Sequence, residues 1–357
     1  MMDAIIIGAG IIGSSIAWRL AQRGLRVTLL DAGRVGGEAS WAGAGMLAPG
    51  GEVTERSQWS DFALHGLRLY PQFVAELKAE TGCPIDYQPS GAIETAATEQ
   101  DWIELLARAQ KQRDLGIPSE PAGAEKALFY PEDAAVDPRD VTRALLAACR
   151  SKQMSVHEGL PVTGIHAEPG AVTVETQAGR QMAAVAVLAA GAWSGAIPFT
   201  HRGKAQRLPG SFPVRGHLLG YRLEPGICPR ILRQGHTYIL QRSNGFTIAG
   251  SSMETVGFDR SINPDIVRDI ANRAGRLLPQ LRKAGEPEAW VGFRPRADAH
   301  QPQIRRFEDS CLWLAYGHYR NGILLAPATA ERVCAEIGNR ISVILATLPV
   351  ASSTAEI

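Results

Sequence analysis

AIIIGAGIIGSSIAWRLAQRGLRVTLLD, residues 4–31, decides the fold. Ala4 to Ile7 is a short continuous apolar run, the pattern of a strand buried on both faces. Gly8, Gly10 and Gly13 follow as GxGxxG. A helix is predicted from about Ile11 to Arg23, with Ile12, Ile16 and Leu20 at four-residue spacing and Gly24 as its stop. Val27 to Leu30 is a second apolar run, and Asp31 closes it. Strand, tight turn, helix, strand and acidic residue, in that order, make a dinucleotide-binding βαβ unit. Gly8 permits the turn, Gly10 admits a pyrophosphate, and Gly13 lets helix pack on strand. Asp31 would accept hydrogen bonds from the adenosine ribose hydroxyls and repel a 2′-phosphate, which disfavours NADP.

Outward from this unit, EASWAGAGMLAP (residues 38–49) is dense in Ala and Gly. It reads either as a flexible surface loop or as backbone lining a pyrophosphate and one edge of a flavin, with Ser40 bonding a phosphate oxygen. Near the other end, GHYRNGILLAPATA (residues 317–330) repeats the chemistry of a small-residue turn running into a helix, predicted over about Leu325 to Ile337. A helix N-terminus is well placed to face the electron-rich N1 and C2 carbonyl of a flavin ring. The first unit alone suits a nicotinamide enzyme. The pair points to an FAD amine or amino-acid oxidase.

A chain of 357 residues is too long for one simple core. Nucleotide-binding segments recur at its start, middle and end, with β-rich segments between them, so the second domain is interleaved rather than appended. Ile85 to Thr95 reads as a strand pair broken at Ser90-Gly91. With 37 basic and 36 acidic side chains, there is no electrostatic case for nucleic acid or an anionic membrane. Cys83, Cys149, Cys228, Cys311 and Cys334 are scattered, with no CxxC pair, which argues against disulfides or structural zinc and for a reducing cytoplasm. The apolar stretch from Met182 to Trp193 is too short to span a bilayer. GxSxG and HExxH are both missing.

Two arginines have double readings. Arg294 in GFRPR and Arg320 in HYRNG are either surface-loop residues or buried forks that bind a carboxylate through two parallel hydrogen bonds. Tyr238 in GHTYILQR is either a third donor or a strand aromatic, with His236 two residues earlier on its face. His236 has no second His or carboxylate at useful spacing, so no metal site is expected.

Taken together, IIIGAGIIG with Asp31, EASWAGAGML, LAAGAWS (residues 188–194), GHTYI, GFRPR and GHYRNGILLAPAT resemble the FAD-dependent glycine oxidases of thiamine biosynthesis, within the D-amino-acid oxidase superfamily. The resemblance covers nearly the whole chain. It implies an α/β fold with a Rossmann-type FAD-binding domain (1–84, 138–210 and 299–357). An α+β substrate domain on an antiparallel sheet (85–137 and 211–298) is interleaved with it. It places Arg294 on the substrate carboxylate with help from Tyr238, Arg320 beside flavin and substrate, and Met253 and His236 on the opposite wall. The phosphate-side cofactor set is Gly8, Gly10, Ile11, Ile12, Gly13, Asp31, Ala39 and Ser40. Ala44, Gly45, Met46 and Leu47 would contact the isoalloxazine. Val162 would meet the adenine through its main chain, Ala190 and Gly191 the ribityl and phosphate region, and Trp193 is a further cofactor-binding residue. Gly317, His318, Tyr319, Arg320, Asn321, Gly322, Ile323 and Leu324 would wrap the pyrimidine end. Related sarcosine oxidases attach flavin through a cysteine in the stretch matching Phe293–Ala297. Arginines and a proline stand there in this chain, so non-covalent FAD is expected.

The implied reaction is hydride transfer from glycine, sarcosine or small D-amino acids to flavin N5, with no side-chain acid or base. Oxygen is the acceptor, and glyoxylate or the 2-oxo acid, ammonia and hydrogen peroxide are the products. The alternative is a dehydrogenase passing electrons to a quinone. A homotetramer or homodimer is expected.

Overall fold

The computed structural model describes residues 2–123, 126–298 and 301–347. The end of the expected C-terminal segment therefore lies outside the described residues. The opening unit forms where the apolar runs predict it: β1 (Met2–Ile7), α1 (Ile11–Gln22) and β2 (Val27–Leu30). Gly8 sits at φ +100°, where a Cβ would lie 2.5 Å from the Ala189 carbonyl, and a Cβ on Gly13 would lie 1.9 Å from the Gly8 oxygen. Any side chain at either place would force helix and strand apart.

β1 lies inside a ten-stranded sheet, two strands from one edge. On one side it pairs in parallel with β2, which pairs with Ser155–His157. On the other it pairs in parallel with the long strand Gly179–Leu188, which also carries Leu312–Tyr316 in parallel. Helix α2 (Gln58–Thr81) packs on α3 (Pro138–Ser151) and on the closing helix α4 (Gly322–Thr347), and both of these pack on α1. Buried Trp18, Tyr70, Phe73 and Leu145 fill the space between them.

An eight-stranded sheet forms the second layer. It is mostly antiparallel, because hairpins build it: β3 (Ser211–Arg222) lies between Phe246–Gly250 and Glu288–Ala297. One junction departs from the expected antiparallel pattern, since Ile231–Gln234 pairs in parallel with Ala92–Thr95. That junction stitches the two β-rich parts of the chain into one sheet. Tyr87–Gln88 and Ala92–Thr95 do not pair with each other as the sequence suggested. The first joins Ala134–Val136 in a small sheet with Met46–Leu47, and the second joins the large one. The C-terminal helix starts at Gly322, three residues earlier than the periodicity indicated, and runs through Pro327. Its opening glycine and isoleucine carry no cap signal. Among the described residues no helix is long and apolar enough to cross a membrane.

Candidate active site

A cavity of about 1050 Å³ runs between the two sheets, at the upper end of the range for small-molecule sites. At one end its wall is mostly backbone. The N-terminus of α1 opens onto it with Gly10 as the N-cap and no side-chain cap. The N–H of Ile11 donates to Ser40 Oγ at 2.9 Å, which leaves the hydroxyl proton for another acceptor. Gly8, Gly10, Ile11, Ile12, Ala39 and Ser40 all line the cavity. Such a helix start attracts phosphate.

Asp31 closes this end, accepting from the N–H groups of Ala9 and Gly33 at 2.7 Å each. Burial raises its carboxyl above the ordinary range despite those bonds, and Glu38 and Glu158 add to the rise. Val162, Ala190, Gly191 and Trp193 line the same end. The residues fit a dinucleotide: a bare helix N-terminus for the pyrophosphate, a carboxylate for ribose hydroxyls, and Gly10, where a Cβ would crowd the Ser40 hydroxyl at 3.3 Å.

Farther along, Ala44, Gly45 and Met46 face Gly317 to Ile323 across the cavity. The sheet side grips the first of these segments: Trp290 Nε1 donates to the Ala42 carbonyl at 3.0 Å and Arg242 donates to the Ala44 carbonyl. Gly322 begins α4, whose first turn has no acidic residue, so its positive end faces the cavity unneutralised. His318 turns its ring into the core, 3.0 Å from Thr329 Oγ1, and burial pushes its pKa down to about 3. Leu47 and Leu324 are fully packed in the core and do not line the cavity.

The other end is built from side chains. Arg294 extends from Glu288–Ala297 over Gly216 of β3, where a Cβ would lie 2.2 Å from its Nη1. Its Nη1 donates to the Ser252 carbonyl at 3.0 Å and to the Arg215 carbonyl at 3.4 Å, and Nη2 donates to Ser251 Oγ at 2.9 Å. Every acceptor is neutral. Among the described residues no Asp or Glu pairs with this guanidinium, which lines the cavity. Tyr238 lies beside it, and burial raises its phenol above the ordinary value, outweighing the nearby Arg294 charge and Ser251. The phenol therefore remains a donor at neutral pH.

Arg320 is held differently. Its Nη2 donates to both Glu52 oxygens, at 2.6 and 2.5 Å, so its charge is already neutralised. His236 lines the cavity from the exposed turn between Ile231–Gln234 and Thr237–Gln241, rather than from the strand face the sequence suggested. Met253 is not among the residues that line the cavity: it is 61% exposed, with Tyr319 Oη 2.8 Å from its sulfur, and does not wall the pocket as expected.

Several residues here carry no sequence signal. Glu52 is one. Arg233 is another: it pairs with Asp133 at 2.6 Å and Glu94 at 3.2 Å, all three buried. Asp133 also accepts the Gly50 N–H, and Gln112 holds the Gly50 and Val53 carbonyls, so this cluster pins the segment bearing Glu52. Arg260 bridges to Glu38 across the cofactor end. These partners lie tens to hundreds of residues apart, beyond the reach of local pattern. No cysteine lines the cavity among the described residues.

The model for FAD dependent oxidoreductases matches residues 3–336. The chain belongs to that family. FAD is therefore the dinucleotide that the cavity takes. The chain is 32% identical to a glycine oxidase of Bacillus licheniformis over 92% of this chain and 91% of that one. It is 31% identical to a glycine oxidase of Pseudomonas aeruginosa, over 92% of each. The solved structure of glycine oxidase from Geobacillus kaustophilus superposes with a TM-score of 0.86 at 28% identity, over 95% of both chains.

Proposed function

We propose that this FAD enzyme oxidises glycine and other small amines such as sarcosine and small D-amino acids. Oxygen is the acceptor, and the products are glyoxylate or the 2-oxo acid, ammonia and hydrogen peroxide. The observation that carries the reading is Arg294: a half-buried guanidinium on the cavity wall with three neutral acceptors and, among the described residues, no carboxylate. An amino-acid carboxylate supplies the missing charge through a fork of parallel hydrogen bonds. Tyr238, kept protonated, donates a further bond. Glycine oxidases among the relatives support the substrate class.

FAD, when bound, supplies the hydride acceptor. The chain holds and orients the substrate. No side-chain base is part of this reading: Glu52 is held in its ion pair with Arg320 and Tyr238 keeps its proton, and water takes the proton of the amine. Catalysis rests on positioning and on the positive end of α4. The reading includes non-covalent FAD, a cytoplasmic setting and a homo-oligomer, which light scattering of the holoenzyme checks.

The test is peroxide production by the purified yellow protein in air, with glycine, sarcosine, D-alanine and D-proline. Turnover with glycine is expected. Bleaching of the flavin by these amines under anaerobic conditions, without peroxide in air, would instead identify a dehydrogenase.

A further inference from the structure

Arg294 owes its direction to Ser251 and Ser252, and these two residues are themselves held from behind. Arg215 and His217 lie on the face of β3 opposite Gly216, 4% and 0% exposed. Ser252 Oγ accepts the His217 backbone N–H at 2.9 Å and donates to Glu254 Oε1 at 2.7 Å. His217 Nε2 accepts the Asn263 N–H at 3.0 Å, so the ring proton sits on Nδ1. Nδ1 lies 2.8 Å from Glu254 Oε1 and 3.0 Å from Ser252 Oγ. The second Glu254 oxygen accepts from Arg215 Nη2 at 2.6 Å, and Arg215 Nη1 reaches Asp259 at 2.7 Å. Arg215 and Glu254 also exchange both backbone hydrogen bonds at 2.9 Å.

We infer that Glu254, with Arg215, His217 and Ser252, forms a positioning network that fixes the carboxylate-binding fork of Arg294 and so sets substrate affinity. The inference rests on the proposed role of Arg294. Each Arg294 acceptor belongs to this unit or adjoins it: the Ser252 carbonyl, the Arg215 carbonyl and the neighbouring Ser251 hydroxyl. Glu254 and Asp259 both pair with Arg215, and neither carboxylate reaches Arg294. The network therefore meets Arg294 through neutral acceptors and offers it geometry rather than a direct ion pair. Burial alone would raise the Glu254 carboxyl, but Arg215, Ser252 and His217 together hold it below the ordinary glutamate range, so it is an acceptor at neutral pH. None of the four is expected to touch substrate or cofactor.

The experiment compares Glu254→Gln with Arg294→Lys in the holoenzyme. It measures glycine KM and kcat, and titrates acetate, a carboxylate without an amine, against the flavin absorption. For Glu254→Gln the glycine KM and the acetate Kd both rise about tenfold or more, while kcat stays within about twofold. The FAD spectrum and FAD affinity stay unchanged. A merely structural loss would lower FAD retention and kcat together. Wild-type KM and acetate affinity in Glu254→Gln, with both weakened in Arg294→Lys, overturn the network and leave the Arg294 reading intact. Wild-type values in both variants overturn the Arg294 reading and this inference with it. Should Glu254→Gln not fold, Ser252→Ala removes a single hydroxyl. It is expected to raise KM and acetate Kd by a smaller factor, and unchanged values there overturn the network.

Discussion

The two ends of the cavity are made of different materials. The cofactor end is mostly backbone: a helix N-terminus and glycines that admit no Cβ, with one side-chain carboxylate fixed by two N–H groups. The proposed substrate end is side chain: Arg294 with no counter-ion among the described residues, Arg320 with one, and Tyr238 beside them. Backbone sites tolerate loss of side chains and fail when one is added. Side-chain sites do the reverse. That contrast predicts different responses to substitution at the two ends.

The largest effect is expected at the cofactor end from the smallest addition. Gly13→Ala puts a methyl into the Gly8 carbonyl, and the protein should purify without yellow colour or not fold, measured as flavin absorbance per chain. At the substrate end Arg294→Gln should keep FAD and lower kcat/KM for glycine by about 2–4 kcal/mol, roughly 30- to 1000-fold. Steady-state kinetics at fixed oxygen check it.

His318 gives the cofactor end a pH signature. Its folded pKa of about 3 lies below the ordinary 6.5, so its contribution is intact above pH 6.5 and is lost as pH falls toward 3. At pH 5.5 the cost is about 1.4 kcal/mol. His318→Gln should flatten the acid limb of the Tm-against-pH curve relative to wild type. A smaller effect is expected from Ser40→Ala, which deletes one hydroxyl from a backbone-built cradle. FAD affinity should fall by about 0.5–1.5 kcal/mol, read by flavin fluorescence on dilution. The smallest belongs to Glu52→Gln. The Arg320–Glu52 pair is 41% and 30% exposed, so its loss should change glycine KM by less than about fivefold.

Legibility followed the same divide. Gly8, Gly10, Gly13 and Asp31 act through local geometry, so their spacing announced both the turn and its ligand. Gly317 to Gly322 was legible as a turn into a helix, although the helix start was misplaced because Gly322 and Ile323 carry no capping signal. Arg294 looked the same as a surface arginine, since its role depends on Ser251, Ser252 and the Arg215 carbonyl, 42 to 79 residues away. Arg233 with Glu94 and Asp133, 139 and 100 residues apart, left no mark at all. One clue was present and unread. In FPVRGHLLG, residues 212–220, an arginine and a histidine flank a glycine inside an apolar strand. Buried polar side chains at i and i+2 need partners, and a glycine between them leaves the other face open.

The most direct measurement is the acetate titration of the oxidised holoenzyme, wild type against Arg294→Gln, followed by the flavin difference spectrum. Saturable binding in wild type that weakens at least about thirtyfold in the variant, at equal FAD content, is the expected result. Equal acetate affinity in the two proteins would contradict the assignment of Arg294 as the carboxylate anchor.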